Sequence, residues 1–227
     1  MRAILLSFSL LLAAAFAPAQ AQQAALAGLA EGVDYQLIEG GTPYRAVPGT
    51  IEVVEVFAYW CPHCAHFDPM VERWKRTLPK NVRLTYVPLV SGPDDVLART
   101  FFAAQASKSL AVLHPRLFQA IHETRQLPRQ PESAQVGTFV AGISGVNATA
   151  FKAAMADDAA LRSKLAHARE FALRSDVPGT PAMVVDGRYL VLGNSYQGLL
   201  DNASRIIKAL TPASKPVAKP APRKRST

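Results

Sequence analysis

Cysteine is scarce in this 227-residue chain: it has two, Cys61 and Cys64, and both lie in the stretch WCPHCAHF. A tetrahedral zinc site needs about four ligands, usually from two such clusters or from a cysteine pair and a histidine pair. No second cluster exists, His63 points elsewhere if both cysteines ligate, and His66 is a single extra, so no metal is expected. A disulfide across two intervening residues closes so small a loop that it restrains the unfolded chain little, which weakens the case for a structural staple. Acidic residues are also few, 17 against 25 Lys and Arg, for a formal charge of +8. Arg2 and five cations beyond Pro212 (Lys215, Lys219, Arg223, Lys224, Arg225) carry six of those charges, leaving about +2 on the body. A basic tail on a near-neutral body gives no ground for a nucleic-acid partner. That tail, PASKPVAKPAPRKRST, lacks aromatics, acids and periodicity, so residues 212–227 are expected to be disordered and solvated. Weak attraction to anionic membrane or envelope polymers is the other reading.

Long apolar runs are missing too. The run from Ala3 to Ala17 has about 15 residues, where a spanning helix needs roughly 20. Arg2 precedes it and Ala19-Gln20-Ala21 follows, so residues 1–21 read as a secretory signal cut after Ala21, with an uncleaved anchor as the alternative. No cysteine follows the run, which excludes lipid attachment at a processed amino-terminal cysteine. The mature chain is expected in an extracytoplasmic, oxidising compartment.

Residues 22–211 remain, with no internal repeat, enough for one sizeable core or a core with an insertion. DYQLI (34–38) is a short strand candidate. IEVVEVFAY (51–59) is β-branched and aromatic on both faces apart from its glutamates, as a covered central strand should be. A helical pattern follows to about Leu78, with Pro62 suited to its first position and Pro69 expected to kink it. VRLTYVPL (82–89) is a further strand. From Asp94 to Asp157 no good strand is found, and helical segments are broken at His114-Pro115, Pro128, Pro131 and Gly142–Gly145. A long helix is expected from about Asp158 to Ser175. AMVV and YLVL read as a hairpin turning at Asp186-Gly187, and an amphipathic helix closes the body from about Ser195 to Leu210. The order implies an α/β fold: a sheet domain in two parts, 22–90 and 158–211, interrupted by an all-helical insertion at 91–157.

The cysteines therefore sit at a strand-to-helix junction, where a redox reading explains more than zinc or a staple. At the helix amino terminus, unpaired N–H groups and the helix dipole favour a Cys61 thiolate. His63 can add positive charge or a donor, and Cys64 faces the same side. A sulfur so stabilised leaves readily and favours the reduced form, making the disulfide an oxidant. Glu55 shares a strand face with Ile51, Val53 and Phe57. Burial would raise its pKa and let it trade protons with the Cys64 sulfur, and the bland alternative is a solvated rim position. His66, His114, His122 and His167 read as surface or packing residues.

EVFAYW followed by CPHC, with VPGTPAMVV near the carboxyl end, resembles the DsbA family of periplasmic thiol:disulfide oxidoreductases over most of residues 33–210. The resemblance implies a thioredoxin fold with an inserted helical domain. It implies a nucleophilic, solvent-facing Cys61, a resolving Cys64, a cis-proline at Pro181 beside a peptide-binding backbone, and a buried glutamate at Glu55. It also implies no cofactor beyond the redox-active Cys61–Cys64 disulfide. The expected activity is a periplasmic protein dithiol oxidase, a monomer acting on reduced or unfolded secreted proteins. A DsbB-type membrane partner would reoxidise it, with only peripheral membrane encounter. Thr180 stands where well-known oxidases of the family have valine, and its hydroxyl could bond near the sulfurs. An isomerase or reductase of the same superfamily, and a chaperone-like binder with a structural disulfide, are the alternatives.

Overall fold

The computed structural model describes residues 26–211, so the signal and tail expectations lie outside the described residues. Five strands form one sheet in the order β1-β5-β4-β2-β3. They are β1 (Tyr35–Leu37), β2 (Ile51–Phe57), β3 (Val82–Pro88), β4 (Ala182–Val185) and β5 (Tyr189–Val191). β2 and β3 run parallel, joined through helix α1 (Pro62–Lys75), and the remaining pairs are antiparallel.

Alternation along the central strands divides the interior in two. Val53, Met183 and Val185 face a core shared with Phe67 and Val71 of α1 and with Leu200, Ala203, Ile206 and Ile207 of α7 (Tyr196–Leu210). Val54, Val56 and Val184 face a second core with the helices that follow β3. Those are α2 (Val96–Ala106), α3 (Leu110–Phe118) running into a π turn (Gln119–Glu123), α4 (Ser133–Ala141), α5 (Ala148–Ala156) and α6 (Asp158–Arg174). Leu161 and Leu165 of α6 join the same core as Phe101, Leu117 and Val140. Deep burial of apolar side chains on both faces explains why β2 reads as near-continuous hydrophobic sequence.

α1 runs without interruption through Pro69, which is exposed, so the carbonyl it leaves unpaired can turn to water. One local expectation differs from the structure. His114 and Pro115 lie inside α3 and do not end it, because Leu113, Leu117 and Phe118 bury around them and tertiary packing outweighs the local break. At the hairpin, Asp186 and Gly187 both have positive φ, 54° and 64°, the backbone of a tight turn matched to strand twist. A Cβ on Gly187 would also sit 2.0 Å from the Thr42 backbone, so only glycine fits there. Replacing Gly187 by alanine is expected to cost about 2–3 kcal/mol in urea unfolding, from left-handed backbone and overlap together.

Candidate active site

Central strand β2 ends at Phe57 and delivers Ala58-Tyr59-Trp60 directly to the start of α1. Cys61 is the N-cap of that helix, in extended conformation, with its carbonyl already accepting from Ala65 N and its side chain making no cap bond. Pro62 occupies the first turn, where its missing N–H is no loss. The sulfur is thus free of capping duty. Both thiols are free in this structure.

The two sulfurs differ in surroundings. Cys64 is fully buried, while Cys61 retains 4% exposure. Burial pushes the Cys64 thiol well above its ordinary range, and the nearby Cys61 and Glu55 charges add to this. Hydrogen bonds from the Ala58 backbone and the Thr180 side chain pull the other way. The expectation of a solvent-facing Cys61 is corrected: its Sγ donates to the Thr180 carbonyl at 3.4 Å, so the Thr180-Pro181 segment partly roofs it. The Thr180–Pro181 peptide is cis. The Thr180 carbonyl therefore sits against the Cys61 sulfur.

His63 is exposed, and its Nδ1 lies 2.8 Å from the hydroxyl of Tyr196, a residue that sequence reasoning missed. Two shallow clefts flank the cysteines. One, of about 480 Å³, lies among Trp60, Pro62, Pro128 and Arg129, and the other, of about 450 Å³, among His63, Pro181, Asn194, Tyr196 and Leu199. A larger cleft, about 740 Å³, lies elsewhere, against Asp68, Glu72, Tyr86 and His114.

Strand β2 carries two buried glutamates with opposite circumstances. Glu52 accepts from Thr85 Oγ1 at 2.7 Å and from Arg45 N at 2.9 Å, and pairs with Arg83 at 3.1 Å. Glu55 lies opposite Tyr86 on β3 and Met183 on β4, and its Oε2 has no hydrogen-bond partner. Burial raises its carboxyl well above the usual range, and the charges of Asp68 and Glu72 push it further the same way. Held protonated, it can give a proton to a neighbouring sulfur.

Around Glu55 lies a polar cluster inside the protein that sequence patterns gave no sign of. Asp68 and His114 are both buried. His114 Nδ1 lies 2.8 Å from the Tyr59 hydroxyl, and its Nε2 lies 3.3 Å from Asp68 Oδ1, without hydrogen-bond alignment. His114 is thus a packing residue, set among the rings of Phe57, Tyr59, Tyr86 and Phe118, and it also carries polar contacts in the interior. His122 and His167 donate to the Tyr59 and Tyr44 carbonyls, and His66 is exposed. Among the described residues, no group of three or more His, Cys, Asp or Glu side chains is placed to hold a metal ion.

Residues 95–204 match the family model of a DSBA-like thioredoxin domain. The chain is 36% identical over 165 residues to the thiol:disulfide interchange protein DsbA of Bordetella pertussis, covering 70% of this chain and 77% of that one. The chain belongs to the DsbA family. It is 32% identical over 191 residues to the thiol:disulfide interchange protein DsbA of Pseudomonas syringae pv. tomato, covering 83% of this chain and 85% of that protein. The crystal structure of the oxidoreductase DsbA from Xylella fastidiosa superposes with a TM-score of 0.73 at 36% identity, covering 79% of this chain and 96% of that one. The fold is accordingly the DsbA-like thioredoxin fold of the α/β class, and the enzyme is a thiol:disulfide oxidoreductase.

Proposed function

We propose that this DsbA-family enzyme works as a dithiol oxidase in the periplasm, after removal of residues 1–21, and donates a Cys61–Cys64 disulfide to reduced or unfolded secreted proteins. The observation that carries the reading is the asymmetry of the pair: Cys61 caps α1 and keeps some exposure, whereas Cys64 has none. A substrate thiolate attacks Cys61 Sγ, a substrate–Cys61 disulfide forms, and the Cys61–Cys64 bond breaks with the electron pair leaving on Cys64. Protonated Glu55 can supply the proton that this buried sulfur takes up. A second substrate thiolate then attacks the substrate sulfur of the mixed disulfide. Cys61 leaves as a thiolate beside the amino end of α1, where the helix dipole is positive. The substrate has lost two electrons and the enzyme has gained them. The half-buried Thr180-Pro181 segment and its cleft offer backbone to an extended substrate. A DsbB-type membrane protein is the proposed reoxidant. Among the described residues, no helix is long and apolar enough to cross a membrane. Mixing the oxidised protein with one equivalent of a reduced, unfolded two-cysteine protein should transfer one disulfide per enzyme. No transfer within minutes rejects the reading.

A hydrogen bond from the Thr180 side chain pulls the Cys64 thiol down, against the burial that raises it, and so makes that sulfur easier to ionise. A net hydrogen bond of about 1 kcal/mol is roughly fivefold in Cys64 ionisation. A more basic thiolate is also the better nucleophile, with β of about 0.4–0.5, which halves the effect on a logarithmic scale. Thr180→Val is therefore expected to lengthen the life of a mixed disulfide resolved by Cys64 about twofold to threefold in quenched-flow kinetics. An unchanged lifetime would show that the hydroxyl plays no part in exchange.

A further inference from the structure

We infer that Tyr196 is a positioning residue for the exchange reaction, acting by orienting the imidazole of His63. An exposed histidine on the first turn of a helix is ordinarily free to turn about its side-chain bonds. His63 is not, because its Nδ1 lies 2.8 Å from the Tyr196 hydroxyl, which arrives from α7 at the far end of the sequence.

Tyr196 is itself fixed from two sides. It opens α7, whose N-cap Ser195 accepts from Gly198 N at 3.0 Å and so holds the first turn. Its ring lies 5.5 Å from that of Phe67, a fully buried residue one turn beyond His63 on α1. The phenol thus rests on the same helix that carries the cysteines. Gly193 presses against the start of α7, where a Cβ would come within 2.9 Å of Leu199 N, so the approach to Tyr196 is also constrained.

The hydroxyl stays neutral while the thiols change charge. Partial burial raises its pKa, and negative charge on Cys61 or Cys64 raises it further. A neutral hydroxyl can donate to an unprotonated Nδ1 or accept from a protonated one, so the contact survives a change of charge on His63. Nε2 of His63 has no hydrogen-bond partner among the described residues and remains available to a group from outside. His63 and Tyr196 also share the cleft that contains Pro181, so a polypeptide docking there passes the pair. When the disulfide opens, negative charge appears on a sulfur flanking His63. An imidazole held in one orientation interacts with that charge more favourably than one that averages over many. The Tyr196 contact therefore favours the reduced enzyme over the oxidised one.

Tyr196→Phe keeps the ring on Phe67 and removes only the hydroxyl. It is expected to move the equilibrium with glutathione about threefold to tenfold toward the oxidised enzyme, at most roughly 30 mV. In a His63→Phe background the same change is expected to do nothing further. An unchanged potential in Tyr196→Phe, or an equal shift with His63 already replaced, overturns the inference. A purely packing role would give that equal shift. Nitrogen NMR of the reduced wild-type protein needs no variant: a single hydrogen-bonded Nδ1 environment for His63 is expected, and a freely averaging imidazole overturns the inference. The inference rests on the thiol-exchange reading. A wild-type protein that transfers no disulfide removes that reading, whereas an active wild type with additive variants removes only the role of Tyr196.

Discussion

Replacing Cys64 by alanine is expected to turn the catalyst into a trap. In the wild-type protein a mixed disulfide between Cys61 and a substrate has an internal escape, because Cys64 lies one helical turn away in the same buried site. A lone Cys61 can still attack a substrate disulfide, bonding one of its sulfurs and releasing the other as a thiol. With alanine at 64 no neighbouring thiol can cleave that bond, so it persists until an outside thiol arrives. Non-reducing gels of periplasmic extracts should show a ladder of adducts that collapses on reduction, and stoichiometric oxidation by the variant should fall to background. The companion Cys61→Ala should show neither adducts nor turnover. Its remaining thiol is fully buried and pushed well above the ordinary thiol range, so little of it ionises and none of it is reachable. Absence of adducts from the Cys64→Ala variant would favour a chaperone-like binder. Adducts formed equally by both variants would remove the distinction between the sulfurs.

The second large effect concerns Glu55 and is read through pH. Its folded pKa lies above the unfolded value of about 4.5, because burial and the charges of Asp68 and Glu72 disfavour ionisation. The folded protein therefore holds this proton more tightly than the unfolded chain does. The stability that the proton contributes is fully present below about pH 4.5 and is lost as pH rises toward the folded pKa. Over that window the wild-type protein is expected to lose up to about 1.4 kcal/mol per pH unit relative to Glu55→Gln. The buried amide has a hydrogen-bonding cost of its own, but that cost does not vary with pH and cancels from the slope. Urea unfolding of both proteins in the reduced state at pH 5, 6 and 7 measures it. Parallel curves would mean that Glu55 is ionised and compensated in the folded protein. Exchange should also slow in the variant, since glutamine has no proton to give to the Cys64 sulfur.

That pair of glutamates shows where sequence stops being informative. Both sit in IEVVEVF, and periodicity places both in a covered strand. Only Arg83, Thr85 and the Arg45 backbone distinguish them, and these arrive from β3 and from the loop before β2. The strand-to-helix junction at Cys61 was legible because strand propensity, Pro62 and the helical pattern beyond agree locally. The hairpin was legible because Asp-Gly is what a positive-φ turn requires. Contacts between distant segments were not. His63 meets Tyr196 133 residues away, and Tyr59 meets His114 at a separation of 55. Neither pair leaves a spacing in the sequence, because tertiary packing creates both. The partial roof over Cys61 has the same origin in the Thr180 carbonyl, 119 residues on. Pro115 misled for a related reason, since the apolar side chains around it hold α3 together despite the missing N–H.

The central claim is that this thiol pair gives up its disulfide and does not take one, and the reduction potential of Cys61–Cys64 against glutathione tests it most directly. Cys61 at the amino end of α1 favours the reduced form, so the account predicts a potential above about −200 mV, with the enzyme largely reduced in mildly oxidising glutathione. A potential near thioredoxin's roughly −270 mV would contradict it and make the protein a reductase.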